Sequence, residues 1–119
     1  MPVRSFRSSV LRWPDARTVR ASLARWASAA AARRSEVRRI GYFGSYARGD
    51  WGVGSDVDIL VVLDRSDVPF ERRGLAWDTA ALPVPADLLI YTEDEWRRIR
   101  ASGRFSDTLA REIVWLLDS

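Results

Sequence analysis

Asp56 and Asp58 stand one residue apart at the head of a β-branched apolar run, Val57-Asp58-Ile59-Leu60-Val61-Val62-Leu63. Alternate residues of a strand emerge on one face, so the two carboxylates can approach the same cation. Paired hard-oxygen donors suit Mg²⁺, which takes one or two carboxylates and completes its shell with substrate phosphate and water. Upstream stands Gly44-Ser45, at the end of another apolar segment. A glycine lets the backbone approach a phosphate closely, the serine hydroxyl can donate to it, and the amides opening the next turn form an anion-binding concavity. Arg48, one turn further on, can add a charge-assisted contact to the same phosphate or pair with Asp50 as a surface ion pair. An Asp-x-Asp arises easily by chance. It gains meaning from the phosphate-binding turn that precedes it.

Composition narrows the chemistry further. Among 119 residues there is no His and no Cys, and all 19 basic residues are Arg. A Ser-His-Asp triad, a thiolate nucleophile, a Cys/His zinc site and a disulfide framework are therefore excluded. Without Lys there is no Schiff base and no Walker A loop. Catalysis here must run on carboxylates, hydroxyls, Arg, backbone amides and a borrowed metal ion. Charge is uneven: residues 1–39 carry ten Arg against Asp15 and Glu36, a net +8, and residues 40–119 carry a net −5. A basic front of this kind is either a solvated helix face or a surface for nucleic acid or an acidic partner.

The elements that must position these residues are legible from periodicity. Pro14-Asp15 opens a helical pattern with Val19, Leu23, Trp26 and Ala30 on one stripe, which predicts a helix over 15–34. Residues 37–43 read as a strand, 44–54 as a glycine loop with at most one helical turn, and 57–63 as a central strand covered on both faces. Phe70, Gly74, Trp77 and Ala81 suggest a second amphipathic helix, stopped by Pro83 and Pro85. Ala86–Tyr91 reads as a third strand. Thr92 and Glu95 form a capping box that starts a helix running to Ser102-Gly103. Leu109, Ile113 and Leu116 make the tail from Ser106 to Leu117 helical, with Ile113–Leu117 as an alternative short strand. Trp26, Trp77 and Trp96 fall on apolar stripes and belong to a core; Trp51, in the glycine loop, either stacks on a base or faces a partner. Tyr42 packs. The whole is one α/β (α+β) domain with a small mixed sheet flanked by helices: a basic helical segment over 1–34, a core over 35–95 and a helical cover over 96–119.

Gly44-Ser45, ten intervening residues and Asp56-Val57-Asp58 together resemble the signature of the minimal nucleotidyltransferases of the DNA polymerase-β-like superfamily. That resemblance implies the polymerase-β-like fold and a third carboxylate on a later strand, for which Asp87 in Ala86-Asp87-Leu88-Leu89-Ile90-Tyr91 is the match. It implies that Asp56 and Asp58, with Asp87, hold two Mg²⁺ ions, that Asp87 helps take the proton of the acceptor hydroxyl, and that Gly44 and Ser45 grip the β- and γ-phosphates of ATP. Two ions about 3.5–4 Å apart neutralise entering and leaving oxygens without His or Lys.

After the third strand only a short helical cover remains, so the acceptor is expected to be a small molecule in an open cleft or a separate protein. The resemblance points to the antitoxin of two-gene toxin–antitoxin systems, which transfers AMP to a helical HEPN-type ribonuclease toxin. Two other readings stay open: a module that masks its partner without catalysis, and a nucleic-acid-binding protein working through its basic front. Homo-oligomerisation is also open. No run reaches the ~18–20 apolar residues of a membrane span, so a cytoplasmic protein with no membrane partner is expected. The Arg- and Ser-rich stretch up to Trp26 reads either as a transit peptide or, better, as the first helix of the domain.

Overall fold

The computed structural model describes residues 13–118. Helix α1 (Ala16–Arg33) leads into β1 (Val37–Phe43), a one-turn α2 (Ser45–Arg48) and β2 (Val57–Leu63). Next come α3 (Phe70–Arg73), a 3-10 turn (Gly74–Ala76), β3 (Ala86–Thr92), α4 (Glu93–Ser102), α5 (Asp107–Glu112) and β4 (Val114–Asp118). The sheet order is β3-β2-β1-β4, with β2 and β3 parallel and the other two pairings antiparallel. The expected small mixed sheet flanked by helices is thus what the chain forms.

Asp15 starts α1 by accepting the Thr18 amide at 2.8 Å, which holds its carboxyl below the usual range. Val19, Leu23, Trp26 and Ala27 are buried, with Ala30 half-buried, so this stretch is part of the fold. The basic residues before Trp13 lie outside the described residues. β2 is apolar on both faces because both are covered. Val57, Ile59, Val61 and Leu63 pack with α1, Ile40, Tyr42 and Ile90, whereas Leu60 and Val62 pack with Trp96, Phe105 and Ile113.

Two expectations are corrected. No helix spans 70–81: it runs only through α3 and the 3-10 turn. Gly74 weakens it, and Trp77 leaves in extended conformation (φ −107°, ψ 133°) so that its ring can meet Trp26 at 5.7 Å. Leu82 and Val84 then enter the core from irregular backbone ahead of Pro85. In the tail, helix stops at Glu112 and residues 114–118 form a strand, the alternative reading. β1 needs a partner on its second edge, and Gly41 leaves room for one. A Cβ there would lie 2.8 Å from Ile113 Cγ2 and 2.9 Å from Trp115 Cε3.

Arg73 locks the crossover between β2 and β3. Only 7% exposed, it donates Nε to the Val68 carbonyl (2.8 Å) and Nη1 to the Ile90 carbonyl (3.0 Å). Its fork also meets both oxygens of Glu95, at 2.5 and 3.1 Å. Glu95 closes the capping box with Thr92, so one carboxylate serves helix start and ion pair together. Arg73 and the Thr92 amide hold the Glu95 carboxyl down to about 2. A depressed acid contributes stability that is complete above its unfolded value near 4.5 and lost as pH falls toward 2. Glu95→Gln keeps the cap but not the charge. We expect it to cost about 1–3 kcal/mol at pH 7, discounted from a fully buried pair because Glu95 is 28% exposed. In denaturant titrations at several pH values, the gap to wild type should close between 4.5 and 2; a constant gap would refute the ionic account.

Candidate active site

The aspartates gather where β2 and β3 begin. The parallel register sets Asp58 against Asp87, and the antiparallel one sets Asp58 against Phe43, the residue before Gly44. Asp58 continues the row of Leu60 and Val62 along one face of β2, and Asp87 continues that of Leu89 and Tyr91 along β3. Asp56, one residue ahead of β2, lies on the same side and is exposed, as is Asp87; Asp58 is half-buried. Burial raises the Asp58 carboxyl above its usual range, reinforced by the negative charges of Asp87 and then Asp56 and opposed by Arg48. The strand register therefore sets Asp58 beside Asp87, and Asp56 is near enough for its charge to act on Asp58.

Gly44 shapes the turn beside them. Its backbone (φ 80°, ψ −150°) lies in a region that only glycine occupies freely, and a Cβ on it would collide with Asp58 Oδ2. Ser45 begins α2, half-buried, and the Gly44 carbonyl receives the Ala47 and Arg48 amides at 3.0 and 2.9 Å. Arg48 is engaged elsewhere, with Nε 3.0 Å from Asp50 Oδ2 and Nη1 3.3 Å from Glu112 Oε2. It ties α2 to α5 and stands near enough to Asp58 to lower its carboxyl.

Sequence reasoning overlooked Tyr46. Buried in α2, it accepts a hydrogen bond from Trp13 Nε1 at 2.9 Å, and its hydroxyl lies 3.5 Å from the Ser55 carbonyl, immediately before Asp56. Its ring stacks on Trp51 at 5.6 Å and 8°. Trp51 thus folds inward against the glycine loop, and Tyr46 joins the Gly44-Ser45 turn to the aspartate strand. A lone aromatic between Ser45 and Ala47 carries no periodicity that would have flagged it.

An all-carboxylate donor set suits a hard divalent cation. None of the three aspartates has a salt bridge among the described residues, in a chain with 19 Arg. Uncompensated neighbouring anions of this kind are what a cation would satisfy. Among the described residues no three His, Cys, Asp or Glu side chains are grouped closely enough to hold a metal ion by themselves.

Gly44→Ala should cost about 1–3 kcal/mol, from backbone strain plus the collision with Asp58. Asp58→Asn should instead leave stability unchanged or raise Tm by about 1–4 °C, because it removes one repelling charge and keeps the shape. Thermal unfolding of both variants checks this. A strongly destabilised Asp58→Asn would mean that the carboxylate has a structural partner.

Residues 25–114 match the family described as Nucleotidyltransferase domain, a span that contains Gly44, Ser45, Asp56, Asp58 and Asp87. A crystal structure of a candidate nucleotidyltransferase from Sulfolobus solfataricus is similar in fold, with a TM-score of 0.55, 20% sequence identity and 87% of each chain covered. No curated protein matches the sequence. The structural likeness speaks for the fold, and the family match extends from the second half of α1 into β4: this chain belongs to the nucleotidyltransferase domain family.

Proposed function

We propose that the protein transfers AMP from ATP to a hydroxyl group of a partner protein, a helical HEPN-type toxin that the modification silences in the cytoplasm. The observation that carries the choice of a protein acceptor is the openness of the site. Asp56 and Asp87 are exposed, and Val53 in the loop ahead of them is 79% exposed. The concavity beside α1 and the one between β3 and α4 are both lined by residues other than Asp56, Asp58 and Asp87. A small acceptor would gain little enclosure there, whereas a hydroxyl presented on another protein's surface can reach the carboxylates.

In this reading Asp56 and Asp58, with Asp87, hold two Mg²⁺ ions. Gly44 and Ser45 bind the terminal phosphates. Arg48 supports that turn through Asp50 and Glu112, and reaches phosphate only by releasing them. The acceptor oxygen bonds to the α-phosphorus, the bond to the bridging oxygen breaks, pyrophosphate leaves, and the hydroxyl proton passes to Asp87. Bound divalent ions supply the charge neutralisation at the entering and leaving oxygens.

Intact mass of a purified candidate helical partner after incubation with ATP and MgCl₂ tests the reading. Wild type should add one or more adenylate units, and Asp58→Asn should slow the addition about a thousandfold or more while still melting cooperatively. Neutralisation of the partner with no mass change in either case would establish simple masking. Adenylate appearing on RNA or on a small molecule would replace the acceptor.

A further inference from the structure

Away from the aspartates, a groove of about 640 Å³ runs between α1 and the backbone that follows the 3-10 turn. Its floor is apolar. Trp26 and Trp77 meet at 43°, and the methyl groups of Ala29 and Ala30 continue the surface along α1. Trp26 Nε1 is satisfied by the Asp78 carbonyl at 2.8 Å and its ring is buried, so the accessible apolar surface comes from Trp77, Ala29 and Ala30.

The cations along the groove are held ready. The Arg34 guanidinium lies over the Trp77 ring at 4.4 Å and donates Nη2 to the Ala76 carbonyl at 2.6 Å; its carboxylate neighbour, Glu36, is only within 3.8 Å. Arg25 and Arg33 form no salt bridge among the described residues, and Arg25 reaches only Ser22 Oγ at 3.3 Å. They lie eight residues apart on the groove side of α1, roughly 12 Å along the axis at about 1.5 Å per residue. The middle of the groove is alanine-lined and its ends are cationic. Leu75, beside the lining residue Ala76, is 85% exposed.

We propose that this groove docks an acidic segment of a partner protein, with two carboxylates about 12 Å apart meeting Arg25 and the Arg33/Arg34 end and small apolar residues between them. That spacing corresponds to acids about four residues apart on an extended segment at ~3.3 Å per residue, or about eight apart on a helix. A nucleic acid fits less well. Glu36 and Asp78 also line the groove and would repel a continuous polyanion, and the exposed leucine gives a phosphate backbone nothing to bury.

The groove lies on the α1 side of the sheet, near the Val37/Leu63 end, and Asp58 faces the other side at the opposite end. Those ends are separated by six residues of strand, about 20 Å, so a partner seated in the groove leaves the aspartates uncovered. The identity of the partner as the acceptor rests on the proposed function. Occupancy of the groove does not.

The test is titration of the full ¹⁵N-labelled chain with a short synthetic peptide carrying two glutamates at the stated spacing around Leu and Ala. Its Glu→Gln analogue and an oligothymidylate serve as comparisons. The expected shifts fall within Ala16–Arg34 and residues 75–81 and spare Asp56, Asp58 and Asp87. The acidic peptide should bind about tenfold more tightly than its analogue and lose affinity by about 300 mM salt. Arg25→Gln with Arg33→Gln should weaken it roughly five- to tenfold while leaving nucleotide binding intact. Equal affinity for the two peptides, or shifts outside the groove, would overturn the proposal. So would oligothymidylate occupying the groove at lower concentration than the peptide. Loss of adenylate transfer with peptide binding retained would count against the proposed function alone.

Discussion

Parallel pairing of β2 with β3 sets Asp58 beside Asp87, and the chemical end of the molecule depends on that register. Side chains alternate along a strand, so a slip of one residue would turn Asp87 toward the α1 side and bring an apolar residue next to Asp58. The register is held by burial on both faces. Ile59 and Val61 lock one side against α1, and Leu60 and Val62 lock the other against Trp96 and Phe105. A shift would break the fitted packing on both faces and draw the half-buried Asp58 into one of them. The carboxylates therefore crowd together at its mouth, where burial first, and then the charges of Asp87 and Asp56, raise the Asp58 carboxyl.

Bringing a parallel strand back beside β2 requires a crossover, and this chain builds it with little regular structure. One buried guanidinium takes the place of a long packed helix. Arg73 gathers the Val68 and Ile90 carbonyls and the Glu95 carboxylate, and so links the segment leaving β2, the outer strand and the start of α4. Fixed planar geometry and five donors allow one side chain to do this, which Lys could not match.

Charge is apportioned between the two sides of the sheet. Among the described residues, the aspartates of the site have no arginine salt bridge, and the arginines of α1 have no carboxylate salt bridge. In a chain without His, Cys or Lys, charge placement of this kind is the main chemical resource left. Tyr46 adds the mechanical link. Its stacking on Trp51 and its position below Ser55 keep the glycine loop close to the turn that Gly44 shapes.

Local signals in the sequence determined the first three strands and the capped helices, and they carried the expectation for the site. Asp15 and the Thr92–Glu95 pair act within their own turns, and the double-sided apolar run of β2 reports its own burial. Gly44-Ser45 and Asp56-x-Asp58 are likewise readable because each works over a few residues. Tertiary structure decided the rest. Trp77 leaves its helix because Trp26, fifty-one residues earlier, offers a better contact, and residues 114–118 become a strand because β1 has an open edge beside Gly41. Arg73 looks like any surface arginine until Ile90 and Glu95 surround it. The adjacency of Asp58 and Asp87 likewise comes only from strand pairing. Short-range hydrogen bonds and side-chain alternation are written in neighbouring residues, whereas packing and pairing depend on partners that only the folded chain brings near.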